Sequence, residues 1–448
     1  MKEKFLFGAA TASIQIEGVA PEDGGRDSIW DLYARQDRIK NHNTLDIACD
    51  SYHRYEEDFK LLKGMGANTY RFSIPWARII PNGYDGVINQ KAVEHYKKVI
   101  DKCLEYNLIP MVTLYHWEMP TEVYKRGGLL NESVSDWFAE FVRVVADNFA
   151  GKVKMFITIN EPSSITGGMG GMDYSEKMSD KDFYTCVHNL LLCHGKAVKI
   201  LRKYKDVKVG IGPCQQGGIP LSNDDIEAAR KFFFEVPYKG DRLKRFDSTS
   251  LYMDPIVSGD YPEEFYKKVP KEGQPDIEPG DMELISQKID FVGLNIYSSL
   301  QIKKADNKIG YEIIPYSNNR DYCFDGIWPY SPEGIYWMIR FMEERYHLPM
   351  YITENGCCSN DVIGRDGKIH DDYRIQVLDG YFSYIKKARL EGYDIRGYIV
   401  WTLMDNFEWI HGYTKRFGLV YTNFDTLERT PKESYYFFKD LIEKNKDL

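Results

Sequence analysis

The chain of 448 residues is 43% hydrophobic and 14% aromatic, which is enough apolar material for a large packed core. Its 58 basic and 67 acidic side chains give a formal net charge of −9. An acidic chain without a block of Lys and Arg is poorly suited to bind nucleic acid or anionic membranes. No stretch approaches the roughly 18 apolar residues that a membrane-spanning helix needs. We therefore expect neither nucleic acid nor a membrane as a partner.

The N-terminus and the cysteines indicate a cytoplasmic protein. Residues 1–5 lead directly into a predicted strand, without the apolar segment of a secretory signal. None of the eight cysteines lies in a CxxC motif, and no Cys/His set has the spacing of a zinc site. Reduced thiols are expected in the absence of a signal peptide. We predict a cytoplasmic location and no metal. We interpret Cys357 and Cys358, just after the Asn-Gly turn, as incidental thiols, with a redox switch as the alternative.

Strand-like runs alternate with helical ones along the whole chain. The predicted strands cover residues 5–10, 68–74, 110–115, 155–160, 207–212, 289–297, 350–354 and 397–403. Apolar residues recur at three- and four-residue spacing over 52–62, 92–105, 133–149, 184–204, 332–345 and 372–391. This βαβα order implies a parallel sheet, and eight strands is the number that closes a (β/α)8 barrel. We therefore predict an α/β fold, with residues 1–448 forming a single TIM barrel domain.

Long irregular segments account for the length beyond a minimal barrel. They are predicted at about 18–50, 163–182, 213–225, 298–331 and 404–431. In a barrel such segments are long loops on the catalytic face, at the carboxyl ends of the strands. No Pro/Gly/Ser linker or tandem repeat divides the chain.

Two predicted strands end on a glutamate. Residues 351–353 run into Glu354 and an Asn-Gly turn, and residues 156–160 run into Glu161, after which Pro162 prevents continuation. Two carboxylates at the same barrel edge fit glycoside hydrolysis, with one group protonating the leaving oxygen. The other carboxylate attacks the anomeric carbon or activates a water, and the sequence spacing leaves retention and inversion both open.

Other strand ends carry side chains that suit a neutral, polyhydroxylated ligand. Amides can donate and accept at adjacent hydroxyls, and Trp offers a flat apolar face to a sugar ring. These candidates are Gln15, Arg71, His116, Asn160, Asn295, Tyr297, Trp401, Glu408 and Trp409.

Several motifs resemble glycoside hydrolase family 1, the β-glucosidase family of retaining (β/α)8 enzymes. The strongest are Thr158-Ile159-Asn160-Glu161-Pro162, Tyr351-Ile352-Thr353-Glu354-Asn355-Gly356 and the run from Trp401 to Trp409. Further matches are Gln15-Ile16-Glu17-Gly18, Tyr70-Arg71-Phe72-Ser73 and Lys415-Arg416-Phe417-Gly418-Leu419. The similarity extends from about Phe5 to Phe437, so it covers nearly the whole chain.

The resemblance implies a role for each candidate. By position, Glu161 matches the acid/base and Glu354 the nucleophile of a double displacement through a covalent glycosyl-enzyme. The implied contacts are Asn160 with the 2-hydroxyl, Trp401 under the ring, Trp328 beside the aglycone, and Gln15, His116, Glu408 and Trp409 with the 3-, 4- and 6-hydroxyls. Arg71 and Tyr297 would flank Glu354, and Asn295 and Phe417 would support the site. No cofactor is implied, because protonation and covalent catalysis supply the chemistry.

The flanking groups predict different pKa values for the two glutamates. Arg71 and the Tyr297 phenol would stabilise the charged form of Glu354, so we expect its pKa to fall. No cation lies in the motif of Glu161, which we expect to stay protonated near neutral pH.

The resemblance favours free β-D-glucosides or oligosaccharides, with β-D-galactosides as a further class, and a role in carbohydrate metabolism. A 6-phospho-β-glycosidase is the first alternative, but its branch has Ser, Lys and Tyr where this chain has Glu408, Lys415 and Phe417. A transglycosylating enzyme and a non-catalytic glycan-binding relative are the others. Ser163 and the glycine-rich run 166–172 depart from the family pattern beside the aglycone.

Overall fold

The computed structural model describes residues 4–19, 22, 24, 25, 27–169, 178–236, 248–317, 320–324 and 326–448. Of the glycine-rich run 166–172, residues 170–172 lie outside this part of the chain.

Eight parallel strands close into a barrel. They are β1 (Leu6–Ala10), β2 (Thr69–Ser73), β3 (Ile109–Tyr115), β4 (Met155–Asn160), β5 (Lys208–Gly212), β6 (Phe291–Lys304), β7 (Met350–Glu354) and β8 (Ile395–Trp401). Each strand pairs in parallel with the next, and β8 returns to β1 with the register Leu6↔Gly397 to Ala10↔Trp401. The predicted (β/α)8 fold is confirmed.

Long helices follow the strands and surround them, in the order expected for this fold. The main ones are Ser51–Gly64, Gln90–Glu105, Val134–Phe149, Asp180–Leu201, Glu333–Tyr346, Asp372–Leu390 and Glu433–Lys444. Ile226–Phe234 and Thr249–Ser258 lie between β5 and β6. Shorter helices occupy Ser13–Ile16, Ile29–Arg35, Trp76–Ile79, Thr121–Lys125, Pro162–Ser164, Glu263–Lys268 and Asp281–Ile285. The six predicted helices are confirmed to within a few residues.

Three of the segments predicted to be irregular contain strands instead. β6 continues to Lys304, where prediction ended the strand at residue 297. Its outer half pairs with Cys214–Pro220 and, in antiparallel register, with Tyr311–Ile314. Leu300 and Ile302 alternate with polar residues there, which is the pattern of a half-buried strand. The prediction of irregular structure over 213–225 and 298–331 was therefore wrong in these parts. It was also wrong for the strands within 404–431 and for the helix Ile29–Arg35 within 18–50.

Short two-stranded ladders also lie within the loops. Tyr322–Cys323 pairs with Trp328–Pro329, and Val420–Thr422 pairs with Arg429–Pro431. Both ladders are antiparallel and lie in segments that follow β6 and β8. They give local order to loops beside the carboxyl ends of the strands.

The hydrophobic core forms one continuous cluster from Phe5 to Ile442. Every residue of β1, β2, β4 and β7 is buried, which matches strands covered on both faces in a parallel barrel. Across the part of the chain that is described, every helix is too short or too polar to span a lipid bilayer.

Candidate active site

The carboxyl ends of the strands bring the predicted site residues to one end of the barrel. Glu354 is the last residue of β7, and Glu161 directly follows Asn160 at the end of β4. Arg71 lies in β2, while Asn295 and Tyr297 lie in β6. His116 follows β3, Trp401 ends β8, and Gln15 lies in the short helix after β1.

Glu354 is a buried carboxylate with a donor on each oxygen. Arg71 Nη1 donates to its Oε1 at 2.6 Å, and the Tyr297 hydroxyl donates to its Oε2 at 2.8 Å. Arg71 Nη1 also donates to the carbonyl of Thr353 at 3.0 Å. The side chains of Arg71 and Glu354 are only 1% and 4% exposed, so the ion pair is shielded from water. These bonds fix the direction of the carboxylate.

Asn160 lies at the centre of a buried hydrogen-bond network. Its Oδ1 accepts from Arg71 Nη2 at 2.5 Å and from Asn295 Nδ2 at 3.0 Å. Its Nδ2 lies 3.1 Å from His116 Nε2, and with Nδ2 as the donor the imidazole accepts. Burial, followed by the charge of Arg71, holds the pKa of His116 well below its usual range, so this ring is neutral.

Glu161 is buried like Glu354 but receives neutral donors. Asn295 Nδ2 donates to its Oε1 at 2.9 Å, and Ser164 Oγ donates to its Oε2 at 2.7 Å. The backbone of Glu161 turns sharply, with φ 49°, and its N–H donates to the carbonyl of Gly212 at 2.6 Å. This turn, followed by Pro162, projects the residue from the end of β4.

Burial raises the pKa of both glutamates. The pKa of Glu161 rises to about 7 because the carboxyl is buried and because Glu354 adds a like charge. Burial also raises the pKa of Glu354, although Arg71 and Tyr297 oppose this rise. The prediction that the pKa of Glu354 falls was therefore wrong, since desolvation outweighs the ion pair. The charged guanidinium of Arg71, together with the Tyr297 phenol, still favours the ionised form of Glu354 more strongly than the amide and hydroxyl favour that of Glu161.

Three buried polar atoms of the predicted site residues have no hydrogen-bond partner among the described residues. They are Gln15 Oε1, His116 Nδ1 and Glu408 Oε2. Gln15 Nε2 itself donates to the carbonyl of Phe407 at 2.6 Å, which holds the amide in place. Burial, reinforced by nearby acidic groups, raises the pKa of Glu408 well above its usual range. Such atoms are costly to bury alone, so they suit a ligand rich in hydroxyl groups.

Indole rings pack around His116. The His116 ring stacks near Trp401, with centroids 5.6 Å apart, and near Trp409 at 6.0 Å. Trp409 also packs against Trp117 at 4.7 Å and Trp30 at 4.6 Å. The apolar faces of Trp401 and Trp409 are thus assembled with the polar groups that follow β1, β3 and β8.

A second group of rings, which we call the aromatic wall, consists of Tyr297, Phe324, Trp328 and Phe417. Trp328 stacks on Tyr297 with centroids 4.7 Å apart and on Phe324 at 4.5 Å. Phe417 packs against the edges of Tyr297 and Trp328 at 6.3 and 6.0 Å. The wall is therefore built directly on the phenol that contacts Glu354.

Sequence reasoning missed three contacts in this network. Ser164 bonds to Glu161, Thr353 Oγ1 donates to Asn295 Oδ1 at 2.8 Å, and Trp117 Nε1 donates to the carbonyl of Asn160 at 3.2 Å. A Ser three residues after a strand-end acid is a local signal for such a bond. The bonds of Thr353 and Trp117 join the ends of neighbouring strands that lie far apart in the sequence, and they have no signal in the sequence.

The described residues include no group of three or more His, Cys, Asp and Glu side chains that could hold a metal ion. Two of the carboxyls at this end of the barrel, Glu354 and Glu161, accept from different donors. One carboxyl is held by an arginine and a phenol, and the other by an amide and a hydroxyl. This is the division that acid and nucleophile roles in glycoside hydrolysis require.

Comparisons with known proteins agree with this geometry. The family model described as glycosyl hydrolase family 1 matches residues 1–447. Beta-glucosidase A from Thermotoga maritima is 39% identical over 99% of this chain and 98% of its own length. The 1,4-beta-D-glucan glucohydrolase from Thermotoga neapolitana is 40% identical over 99% and 98%.

Solved structures give the same result. The family 1 b-glucosidase from Thermotoga maritima in complex with isofagomine lactam superposes with a TM-score of 0.87 and 39% identity, covering 99% of each chain. The family model and the relatives extend over nearly the full sequence, and the solved structure shares its barrel. The chain therefore belongs to glycosyl hydrolase family 1.

Proposed function

We propose that the chain is a retaining β-glucosidase that hydrolyses non-reducing terminal β-D-glucosides by double displacement. The observation that carries this proposal is the pair of buried glutamates with unlike donors. Arg71 and Tyr297 hold Glu354, whereas Asn295 and Ser164 hold Glu161. β-Glucosidase is also the activity printed for the Thermotoga maritima relative.

In the first step, Glu354 is the nucleophile. Its carboxylate attacks the anomeric carbon, and the bond from that carbon to the leaving oxygen breaks. Arg71 stabilises the ionised form before attack, and both Arg71 and Tyr297 keep the attacking oxygens in place. A positioned carboxylate pre-organises the reaction because little solvent has to move. The product is a glycosyl ester on Glu354.

Glu161 is the acid in the first step and the base in the second. With a pKa of about 7, its carboxyl retains a proton near neutral pH and gives it to the leaving oxygen. Once Glu354 is an ester, its negative charge no longer raises the pKa of Glu161. Glu161 then accepts a proton from water, the water oxygen attacks the anomeric carbon, and the ester bond breaks to free Glu354. Two inversions give net retention.

The sugar itself is proposed to bind the polar atoms that lack protein partners. Gln15 Oε1 and Glu408 Oε2 are acceptors for hydroxyl protons. His116 Nδ1 is the third buried atom without a protein partner. Asn160 is the candidate for the 2-hydroxyl, with Trp401 under the ring and Trp409 beside it. Trp328 and Phe417 of the aromatic wall would line the aglycone side. No cofactor takes part in this scheme.

Free glycosides, including β-D-galactosides, fit this site better than 6-phosphoglycosides. Glu408 would disfavour a phosphate dianion in either protonation state. An ionised carboxylate repels the dianion, and a neutral carboxyl has to bind a proton first. We expect 4-nitrophenyl β-D-glucoside to be cleaved and its 6-phosphate not to be. The reverse preference would establish the 6-phospho-β-glycosidase alternative.

Azide rescue tests the roles of the two glutamates. We expect Glu354→Gly to be inactive on 4-nitrophenyl β-D-glucoside and to form the α-glycosyl azide when azide is added. Glu161→Ala should form the β-glycosyl azide, because azide then opens the glycosyl-enzyme without needing a base. Inactive wild-type enzyme that still binds glucosides would support a glycan-binding protein, and dominant transfer to added alcohols would support a transglycosylase.

We also propose that residues 1–448 form one domain located in the cytoplasm and acting in carbohydrate metabolism. The continuous core from Phe5 to Ile442 supports the single domain. One cooperative unfolding transition, with and without a bound sugar analogue, would agree with it. Cell fractionation tests the location.

A further inference from the structure

Two cysteines lie beside the proposed site and take no part in its chemistry. Cys358 lies four residues after Glu354, and Cys323 is opposite Trp328 in the short antiparallel ladder. Cys358 is buried and Cys323 is half-buried. The two cysteines lie side by side although they belong to separate loops, because Phe324, which directly follows Cys323, has its backbone N–H in contact with Cys358 Sγ. The pair therefore joins the segment after β7 to the aromatic wall.

The surroundings of the two sulfurs differ. The N–H of Phe324 donates to Cys358 Sγ at 3.1 Å. The hydrogen bond from Cys323 lowers the pKa of Cys358, and the cations Lys415 and Arg374 act in the same direction. The same hydrogen bond and burial raise the pKa of Cys323, so its thiol keeps the proton. Cys358 thus has the character of an attacking thiolate and Cys323 that of a resolving thiol.

The fully buried cysteines elsewhere in the chain contrast with this pair. Burial raises the pKa of Cys49, Cys103, Cys186 and Cys193, as it does that of Cys357 next to Cys358. Such thiols are protonated and poorly reactive. The interpretation of Cys358 as an incidental thiol does not account for its donors.

We propose that Cys323 and Cys358 are an oxidation site, where a peroxide converts the two thiols into a disulfide that fixes the aromatic wall. Its effect on catalysis rests on the proposed function, but the chemistry of the sulfurs does not. The Cys358 thiolate attacks one oxygen of hydrogen peroxide and the O–O bond breaks. Hydroxide is the leaving group, and Cys358 becomes a sulfenic acid. The Cys323 sulfur then attacks the Cys358 sulfur, and its proton leaves with the hydroxyl as water.

The disulfide would act on substrate binding through Trp328. Cys323 is paired with Trp328, Phe324 stacks on Trp328, and Trp328 stacks on Tyr297. A covalent link to the end of β7 restricts the loop that carries these rings. An aromatic leaving group then meets a wall that is already ordered, so less conformational entropy is lost on binding.

Peptide mapping after mild treatment with hydrogen peroxide tests the site. In the folded wild-type enzyme we expect a linked peptide containing Cys323 and Cys358, which reductant removes. It should be lost in Cys323→Ser and Cys358→Ser and retained in Cys214→Ser, which replaces another half-buried thiol. A Cys357–Cys358 link, or oxidation of Cys358 without any link, would overturn the proposal. This readout does not depend on glucosidase activity.

Kinetics of the same samples test the effect on the wall. Oxidation should lower KM for 4-nitrophenyl β-D-glucoside by about twofold or more, with recovery after reduction, because the bound loop is pre-organised. Cys323→Ser should show no such change. A linked peptide with an unchanged KM would overturn the link between this site and aglycone binding, whereas absence of all hydrolysis would instead count against the proposed function.

Discussion

Arg71 of β2 and Glu354 of β7 belong to strands that are not neighbours in the barrel, yet Arg71 Nη1 and Glu354 Oε1 lie 2.6 Å apart. The same guanidinium contacts Asn160 of β4 and, through Nε at 3.2 Å, Thr113 of β3. One buried cation thus links the nucleophile candidate to three other strands. This arrangement couples catalysis and stability.

Replacement of Arg71 should therefore affect both properties. In Arg71→Met, loss of the cation leaves Glu354 buried and unpaired, which costs about 3–5 kcal/mol of the free energy of unfolding. The pKa of Glu354 rises further, so the acidic limb of the kcat/KM profile moves to higher pH. Arg71→Lys keeps a charge and should move the limb less. Denaturant titration and pH–rate profiles measure the two effects, and an unmoved acidic limb would contradict the pairing.

Glu161 should make the folded protein less stable at high pH. The folded carboxyl keeps its proton until about pH 7, whereas an unfolded Glu releases it near pH ~4.3. The native state thus binds more protons in this interval, and its stability falls as pH rises through it. Above pH 7 the full cost is roughly 4 kcal/mol.

Glu161→Gln removes this titration. We expect its Tm to exceed that of wild type at pH 8 and to match it more closely at pH 4, in calorimetry at both values. The exposed Glu263→Gln is the control and should not show this pH-dependent gain. Equal Tm differences at the two pH values would rule out the raised pKa as the cause.

Ser164 should tune the acid/base. Its hydroxyl donates to Glu161 Oε2 at 2.7 Å and lowers the pKa of that carboxyl. Ser164→Ala should raise the pKa of Glu161, so the basic limb of kcat/KM moves to higher pH by a few tenths to about one unit. Ser163→Ala changes the adjacent buried serine and is the matched control. A basic limb at the same pH in Ser164→Ala and wild type would refute the role.

Trp328 should contribute to aglycone binding more than to bond cleavage. Trp328→Ala removes the ring between Tyr297 and Phe324, and a ring contact with an aryl leaving group contributes about 0.5–1.5 kcal/mol beyond its buried area. We expect KM for aryl glucosides to rise about 3- to 10-fold, with a smaller effect for methyl glucoside. Trp337→Ala, on the outer helix Glu333–Tyr346, is the control. Equal effects on both substrates would argue against a wall for the aglycone.

The barrel and the two carboxyls were predictable because they depend on local pattern. Strand periodicity marked all eight strands, and the turns after Glu161 and Glu354 marked the edge where they lie. The prediction ended β6 at Tyr297 and so missed the outer half of the strand. The alternation of Leu300 and Ile302 with polar residues continues the strand pattern there.

The directions of the pKa shifts were harder to predict from the sequence. The motifs named the donors around Glu354 but not the depth of its burial, and burial reversed the expected direction of its pKa. The bond between Thr353 and Asn295 depends on how β6 and β7 are aligned, which a single sequence does not encode in any local pattern.

The 14-residue strand Phe291–Lys304 joins the barrel wall to the sheet outside it. Its first half carries Asn295 and Tyr297 toward the glutamates, and its second half is held by two flanking strands beyond the barrel. Amide hydrogens along the strand should consequently exchange with solvent as one protected segment. A ligand that tightens the inner half would then slow exchange at the outer half, so the outer sheet would report occupancy of the pocket.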